Sequence, residues 1–336
     1  MAYETETLLG VYRELDPFNP FLLNLLCPTK VEFEDESISF DKLSSDKKLA
    51  PFVSPMVAGK AQRTRGGNKY AFTPAYVKPK NVLDPKRMVK RLPGEAIGGQ
   101  LSASQRRQAI LVDTLDEQRR KIKRREEWMV AQIIQTGKVV VEGEDYPTSE
   151  VDFQRDPNLT IDLSGGAAAW DQTTAKPAED LEDWFALMMA PATHVIMGRG
   201  AYRKFIGFDA VKKDLLDTQR GSETELEMAP STQLASFKGR LGGAGPEVWT
   251  YAGYYEDANG DKQLFIPDNG VAIVSVGAEG VRAYGAILDG DADYVATEYW
   301  PKNWVEKDPG VEQVMTQSAP LPVFLEINGL AFATVY

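Results

Sequence analysis

The chain holds one cysteine, Cys27, and one histidine, His194, in 336 residues. A single cysteine excludes an internal disulfide framework and suits a reducing compartment. With one histidine beside it, a zinc site built from Cys and His ligands is not expected. Long apolar runs are missing too. The longest, residues 21–27 and 271–276, fall far short of the ~20 residues that cross a bilayer, so no membrane partner is expected. The N-terminus, MAYETETLLG, has no basic stretch ahead of an apolar one, so no secretory signal is expected. What is present is ordinary for a folded protein: 43% hydrophobic and 26% charged residues, which argues against disorder throughout. The length suggests two or three packed regions.

The net charge of -11 hides a segregation. Residues 1–46 carry -7, residues 47–140 carry +14, and residues 141–336 carry -18. A chain acidic, basic and acidic in blocks attracts copies of itself at contact distance, or sets a basic strip against nucleic acid.

Residues 18–27 form an apolar cluster bracketed by Pro17, Pro20 and Pro28. They read as a short helix in a sticky arm rather than as part of a domain. Residues 50–93 hold six prolines, and from Lys60 to Arg91 there are ten basic residues and a single acid, Asp84. Alternating apolar pieces around 52–57 and 70–77, with Gly66–Gly67–Asn68 as the turn, predict a long two-stranded ribbon. Such an extension has no core of its own and needs a partner surface.

The strongest helical signal covers residues 102–136. Ser102 or Ser104 is the N-cap. Leu111, Leu115, Ile122, Met129 and Ile133 form an apolar row, continued by Leu101 and Gln108, and Gly137 is the stop. A rod of roughly 50 Å with a narrow stripe lies on something rather than inside it. Its other sides, Arg119 to Arg125 with Glu126 and Glu127, read as a solvated face or as a contact for an acidic neighbour. Further on, a hairpin is predicted over 138–153 and helices over 180–189, 201–205 and 211–216. A hairpin turns at Asn259–Gly260, and strands are expected at 194–197, 271–276, 281–287, 294–299 and 313–318. The pattern is mixed α+β without regular βα alternation, which argues against a Rossmann or barrel enzyme.

No chemistry-bearing constellation emerges. The glycine pairs match neither a P-loop nor a dinucleotide fingerprint. His194 opens an apolar strand and reads as structural, and Cys27 as a buried small residue. Asp289, Asp291 and Asp293 have the spacing of a calcium loop, but Tyr294 and Trp300 stand where that loop needs Gly and Glu. They read as an acidic surface loop. No catalytic residue, cofactor or metal is assigned, and the chain is not expected to be an enzyme.

Several stretches in order carry a resemblance: FVSPMVAG (52–59), RTRGG (63–67), FTPAYVKPK (72–80), KRLP (90–93), AVKKDLLDTQRGSETELE (210–227), FIPDNG (265–270), GVRAYG (280–285), WPKNWV (300–305) and QSAPLPV (317–323). Together they resemble the lambda-like major capsid protein family, the capsid protein E family of tailed phages. The resemblance implies an HK97-like α+β fold with an N-terminal arm, an extended β-hairpin (the E-loop), a P-domain with a long spine helix, and an A-domain. It places the arm at 1–46, the E-loop at 47–95, the spine helix and first part of the P-domain at 96–184, the A-domain mainly at 185–300, and the P-domain return at 301–336. It also implies hexamers and pentamers closing into an icosahedral head shell around packaged double-stranded DNA, assembled in the host bacterial cytoplasm. A separate scaffolding protein, a portal and a decoration protein are implied partners, and no covalent crosslink is implied.

On this reading Arg63, Arg65, Lys69, Lys78, Lys80, Lys90 and Arg91 are the intersubunit contacts, and Leu111, Leu115, Ile122, Met129 and Ile133 pack the spine helix. The competing reading, nucleic-acid binding by the strip with Tyr70, Phe72 and Tyr76 as stacking residues, is opposed by the -18 of the second half.

Overall fold

The computed structural model describes residues 19–35, 37–43, 67–90, 102–143, 146–209, 211, 234–242, 245–257, 259–308 and 310–336. The helices among them are α1 (Phe21–Leu26), α2 (Pro85–Val89), α3 (Ala103–Thr136), α4 (Pro177–Leu187) and α5 (Arg199–Phe205).

α3 begins and ends where the sequence places its caps. Ser102 Oγ accepts the Gln105 N–H at 3.2 Å and Gln105 Oε1 accepts the Ser102 N–H at 2.8 Å, a closed capping box. At the other end Gly137 takes φ 74° and its N–H donates to the Ile133 carbonyl at 2.8 Å. A Cβ there would sit 2.8 Å from Arg155 Cβ, so glycine is required both by backbone and by space. The 34 residues make a rod of about 50 Å.

A six-stranded sheet forms the second organiser. Its order is Thr160–Asp162, Leu330–Thr334, Gly270–Val274, His194–Met197, Glu247–Tyr251, Ala235–Arg240. Successive residues of these strands face opposite ways, and here both faces are covered. Val195, Met197, Val271, Ile273, Ala331 and Ala333 join a core with Trp170, Trp184 and Phe205. Ile196, Ala272, Val274, Leu330 and Phe332 join the main core with Met129, Ile133 and Ile134 of α3 and Leu22, Leu23 and Leu26 of α1. Two three-stranded sheets flank α3. One is Thr29–Glu32, Gly280–Tyr284, Pro320–Phe324; the other is Trp300–Val305, Glu312–Gln317, Lys80–Leu83.

The expected apolar row of α3 is buried, with Leu111, Leu115, Ile122, Met129 and Ile133 all at 3% exposure or less. It serves two cores rather than one. Leu111, Leu115 and Ile122 pack with Leu83, Tyr299 and Val314, while Met129 and Ile133 enter the main core. The stripe is not narrow towards the C-terminus, because Val130, Ala131 and Ile134 are also buried. Gln108 is exposed and does not continue the row, and Leu101 lies outside the described residues.

Other expectations are corrected. The short helix expected in residues 18–27 forms as α1 and Cys27 is buried as expected, but the stretch is part of a domain core rather than an arm apart from it: Leu22, Leu23 and Leu26 are all but fully buried. The strand Gly67–Phe72 pairs antiparallel with Ile38–Leu43; residues 52–57, expected to be its partner, lie outside the described residues. Gly67 and Asn68 belong to this strand rather than to a turn. In this register Ile38 stands opposite Phe72, Phe40 opposite Tyr70 and Asp41 opposite Lys69. No strand forms over 294–299. Asp293 and Tyr294 take φ 50° and 57°, which breaks an extended run, and only an isolated bridge from Ala296 to Ala286 remains. The hairpins predicted near 138–153 and around Asn259–Gly260 are present as Lys138–Gly143 with Tyr146–Asp152 and Tyr254–Glu256 with Lys262–Leu264. The helix expected at 211–216 falls outside the described residues beyond Val211.

Candidate functional site

Of the basic residues singled out, Arg63, Arg65 and Arg91 lie outside the described residues, and Lys69 is placed by its backbone alone, opposite Asp41. Lys78 and Lys80 flank Pro79 and are exposed. Each ammonium rests over an aromatic ring, Lys78 4.7 Å from the Tyr76 centroid and Lys80 5.0 Å from that of Trp304. Such contacts orient a cation without neutralising it. Lys90 is the exposed C-cap of α2. The described lysines therefore follow the chain outward from the ribbon and do not converge on a pocket.

The polar side of α3 is where the sequence reading falls short. Glu126 and Glu127, expected on a solvated face, are 1% and 0% exposed. Glu127 accepts the backbone N–H groups of Leu22 and Leu23 at 2.8 Å each, and the Tyr251 hydroxyl at 2.7 Å. It thereby binds the start of α1. Arg282 closes the other end, donating to the Cys27 carbonyl at 2.6 Å, the Leu23 carbonyl at 3.3 Å and Asn24 Oδ1. A helix of six residues thus has a carboxylate at its positive end and a guanidinium at its negative end, each matching the helix dipole. Burial pushes both the Glu126 and the Glu127 carboxyls above their ordinary range.

A second ionic cluster lies beside it. Lys123, itself 6% exposed, bonds Glu126 at 2.9 Å and also Glu298, and Lys30 reaches Glu298 from the surface. The Tyr284 hydroxyl lies 3.2 Å from Glu126 and 3.3 Å from Glu298. Burial works to raise the Glu298 carboxyl, but the Lys123 and Lys30 ammoniums outweigh it and hold it at about 2. Arg155 donates to the Ile134 carbonyl at 2.5 Å and the Gln135 carbonyl at 2.8 Å, closing the end of α3; burial lowers its guanidinium to about 10. The carboxylates of these clusters are met by protein donors, and Arg155 is spent on backbone carbonyls and the Thr160 hydroxyl. A capping carboxylate or guanidinium leaves no periodic trace: Glu126 and Glu127 read only as part of a polar face, and Arg282, though inside one of the resembling stretches, had no assigned role.

His194 sits beside Thr193, 2.9 Å from its hydroxyl, with Glu247 3.6 Å away, and burial lowers the imidazole. Asp289 bonds the Asp291 N–H, Gln317 and Lys302, and Lys302 also pairs with Asp291, so this acidic loop is satisfied by protein groups. Among the described residues no group of three or more Cys, His, Asp or Glu is arranged to hold a metal ion, and no helix is long and apolar enough to cross a membrane.

Comparison with known proteins assigns the family. The sequence profile described as Phage major capsid protein E matches residues 4–335. The chain is 34% identical over 328 residues to the major capsid protein of Escherichia phage lambda, covering 95% of both chains. It is 34% identical over 329 residues to that of Escherichia phage N15, again covering 95% of both. Its fold is similar to that of a prophage capsid protein of E. coli CFT073, with a TM-score of 0.78 and 28% identity over the whole of both chains. The capsid protein of cyanophage P-SCSP1u, at 9% identity and a TM-score of 0.52 over 95% of this chain and 90% of its own, shares the fold alone. The chain therefore belongs to the phage major capsid protein E family, a structural subunit of a tailed-phage head shell with the HK97-like fold.

Proposed function

We propose that the subunits join into hexamers and pentamers chiefly through the ribbon rooted at residues 38–43 and 67–72 and the basic strip that follows it. One observation carries this reading. The two strands form a sheet of their own, paired with no other strand among the described residues. Their connection, residues 44–66, supplies Arg63 and Arg65. Ile38 and Phe72 anchor one end of it to the main core, and as a two-stranded sheet is marginal alone, a neighbouring subunit is the natural support for the rest. Arg63, Arg65, Lys69, Lys78, Lys80, Lys90 and Arg91 then meet acidic surfaces of the next copy. Single exposed pairs contribute only about 0–1 kcal/mol, but a closed shell repeats each of them many times.

In this reading the E-loop starts near residue 38 rather than 47. α3 is the spine helix of the P-domain and the six-stranded sheet lies chiefly in the A-domain. The shell encloses double-stranded DNA as a non-specific neighbour and is assembled in the bacterial cytoplasm, with a scaffolding protein, a portal and a decoration protein as partners. Its role is structural and non-enzymatic.

Neutralising Arg63, Arg65, Lys78 and Lys80 together tests the contact. The variant is expected to stay soluble and to form no shells or rings in negative-stain microscopy, where the unchanged chain does. Normal shells from the variant would overturn the proposal.

A further inference from the structure

Two surface features of the subunit match each other. The first is the loop at residues 288–295. Leu288, Tyr294 and Val295 are 51%, 59% and 43% exposed. Asp293 is exposed beside them and makes no ion pair among the described residues. Asp293 and Tyr294 take φ 50° and 57°, left-handed backbone that a bulky aromatic residue rarely adopts and that collects at binding sites. The loop is held in this shape from its base. Asp289 accepts the Asp291 N–H at 3.0 Å and a Gln317 amide N–H at 2.5 Å. Lys302 grips both Asp289 and Asp291, and the Tyr76 hydroxyl donates to the Ala286 carbonyl at 2.6 Å. The result is a preformed knob, apolar with one unmatched carboxylate, which loses little freedom on docking.

The second is a groove of about 880 Å³ between α3, the hairpin Tyr254–Glu256 with Lys262–Leu264, and the start of α1. On its helix side the exposed Arg125 guanidinium lies 4.9 Å from the Trp128 ring centroid and makes no ion pair among the described residues. Lys121, also in the lining, is already paired with Glu117 at 2.6 Å. Leu234 and Tyr254 line the groove at 36% and 41% exposure. The hairpin wall holds Glu256 and Asp257, and Asp257 is engaged within the hairpin, accepting the N–H groups of Asn259 and Asp261 at 2.9 Å. Glu256 turns an entering anion towards the helix side, where Arg125 stands. The volume lies within the roughly 300–1,000 Å³ range of small-molecule pockets, so it takes a loop tip and not a helix. An apolar lining with one unmatched guanidinium is the complement of an apolar knob with one unmatched carboxylate.

We propose that the knob at residues 288–295 of one copy docks in this groove of the next, with Tyr294 entering the apolar lining and Asp293 paired with Arg125. Both features are fixed by their own chain and stay open there, so a second copy is what brings them together. A shell subunit always has such copies at contact distance. Knob and groove are different surfaces, so the contact is heterologous, the kind that closes into rings. Tyr and Arg are also the residue types that carry most energy at interfaces. The contact uses none of the ribbon or basic-strip residues and does not depend on the contacts proposed for them.

Charge reversal on the full-length chain tests it, with D293R, R125D and D293R/R125D compared by sedimentation and their folding checked by circular dichroism. Each single reversal sets like charges together and is expected to weaken association about tenfold. The double reversal restores the pair in the opposite sense and should recover it, a recovery the ribbon cannot supply because all these proteins share it. Disulfide trapping reads the contact directly. Cys27 is 0% exposed and takes no part, so an equal mixture of Y294C and L234C chains should give a mixed dimer on mild oxidation. Association unchanged in both single variants overturns the proposal, as does a double variant that fails to recover or a mixture that gives no mixed dimer. Loss of DNA retention in R125D, with D293R associating normally, also overturns it and assigns the groove to nucleic acid.

Discussion

Glu127 is a buried carboxyl group whose hydrogen-bond partners are two backbone amides and a phenol. Truncating it strands three buried donors, each costing about 1–3 kcal/mol. Glu127→Ala should therefore lower the unfolding free energy by about 3 kcal/mol or more, whereas Tyr251→Phe, removing one donor, should cost about 1 kcal/mol; urea unfolding of both variants reads this. Glu298 offers a pH test with a defined sign. Its carboxyl is near 2 when folded against an ordinary 4.5, so its contribution is complete above pH 4.5 and is lost as pH falls towards 2. The upper bound is roughly 3 kcal/mol. Glu298→Gln should cost most at neutral pH and progressively less below pH 4.5, measured as the difference in urea midpoints from the unchanged chain. Glu126 has the opposite sign, since burial raises it. What it contributes is present in acid and falls as pH rises, so Glu126→Gln should cost less at neutral pH than in acid.

At the scale of elements, α3 is held by its ends as much as by its face. Ser102 and Gln105 close the first turn; Gly137 and Arg155 close the last. Because Gly137 sits at φ 74° with Arg155 Cβ in the space a side chain needs, Gly137→Ala should cost about 2 kcal/mol. Ser102→Ala, losing the cap at an exposed end, should cost about 1 kcal/mol. Thermal unfolding of the two variants ranks them. α1 is the contrasting case. Six residues are far too few to hold a helix in water, and this one persists because Leu22, Leu23 and Leu26 are buried against α3 and both its ends carry an opposite charge.

At the scale of the molecule, the charge blocks acquire places. Part of the +14 of residues 47–140 is consumed inside the subunit: Lys123 is buried in its own ion cluster, and Arg107 donates to Glu312 at 2.7 Å through both Nε and Nη2. Lys78, Lys80 and Lys90 remain outward, where they are open to another copy. If such exposed contacts hold subunits together, association should weaken as salt rises from about 0.1 to about 1 M, since screening shortens the range of surface charges. Sedimentation across that range measures it, while the buried clusters leave subunit folding little changed.

The caps and apolar row of α3, the hairpins at 138–152 and 254–264 and the family itself were legible in the chain, because each rests on local spacing or on ordered motifs. The partner of residues 67–72 was not, since a strand is chosen by a cross-strand match that lies 23 residues away across residues 44–66. Nor was the depth of Leu22, Leu23 and Leu26, or of Glu126 and Glu127, although Cys27 reads as buried and is. Periodicity tells which residues share a face but not what covers that face. The sequence by itself determined the helix, its limits and the segregation of charge. Only the tertiary structure decided which charges are spent in the interior and which face outward, because burial of an ion depends on the partners that distant segments bring to it.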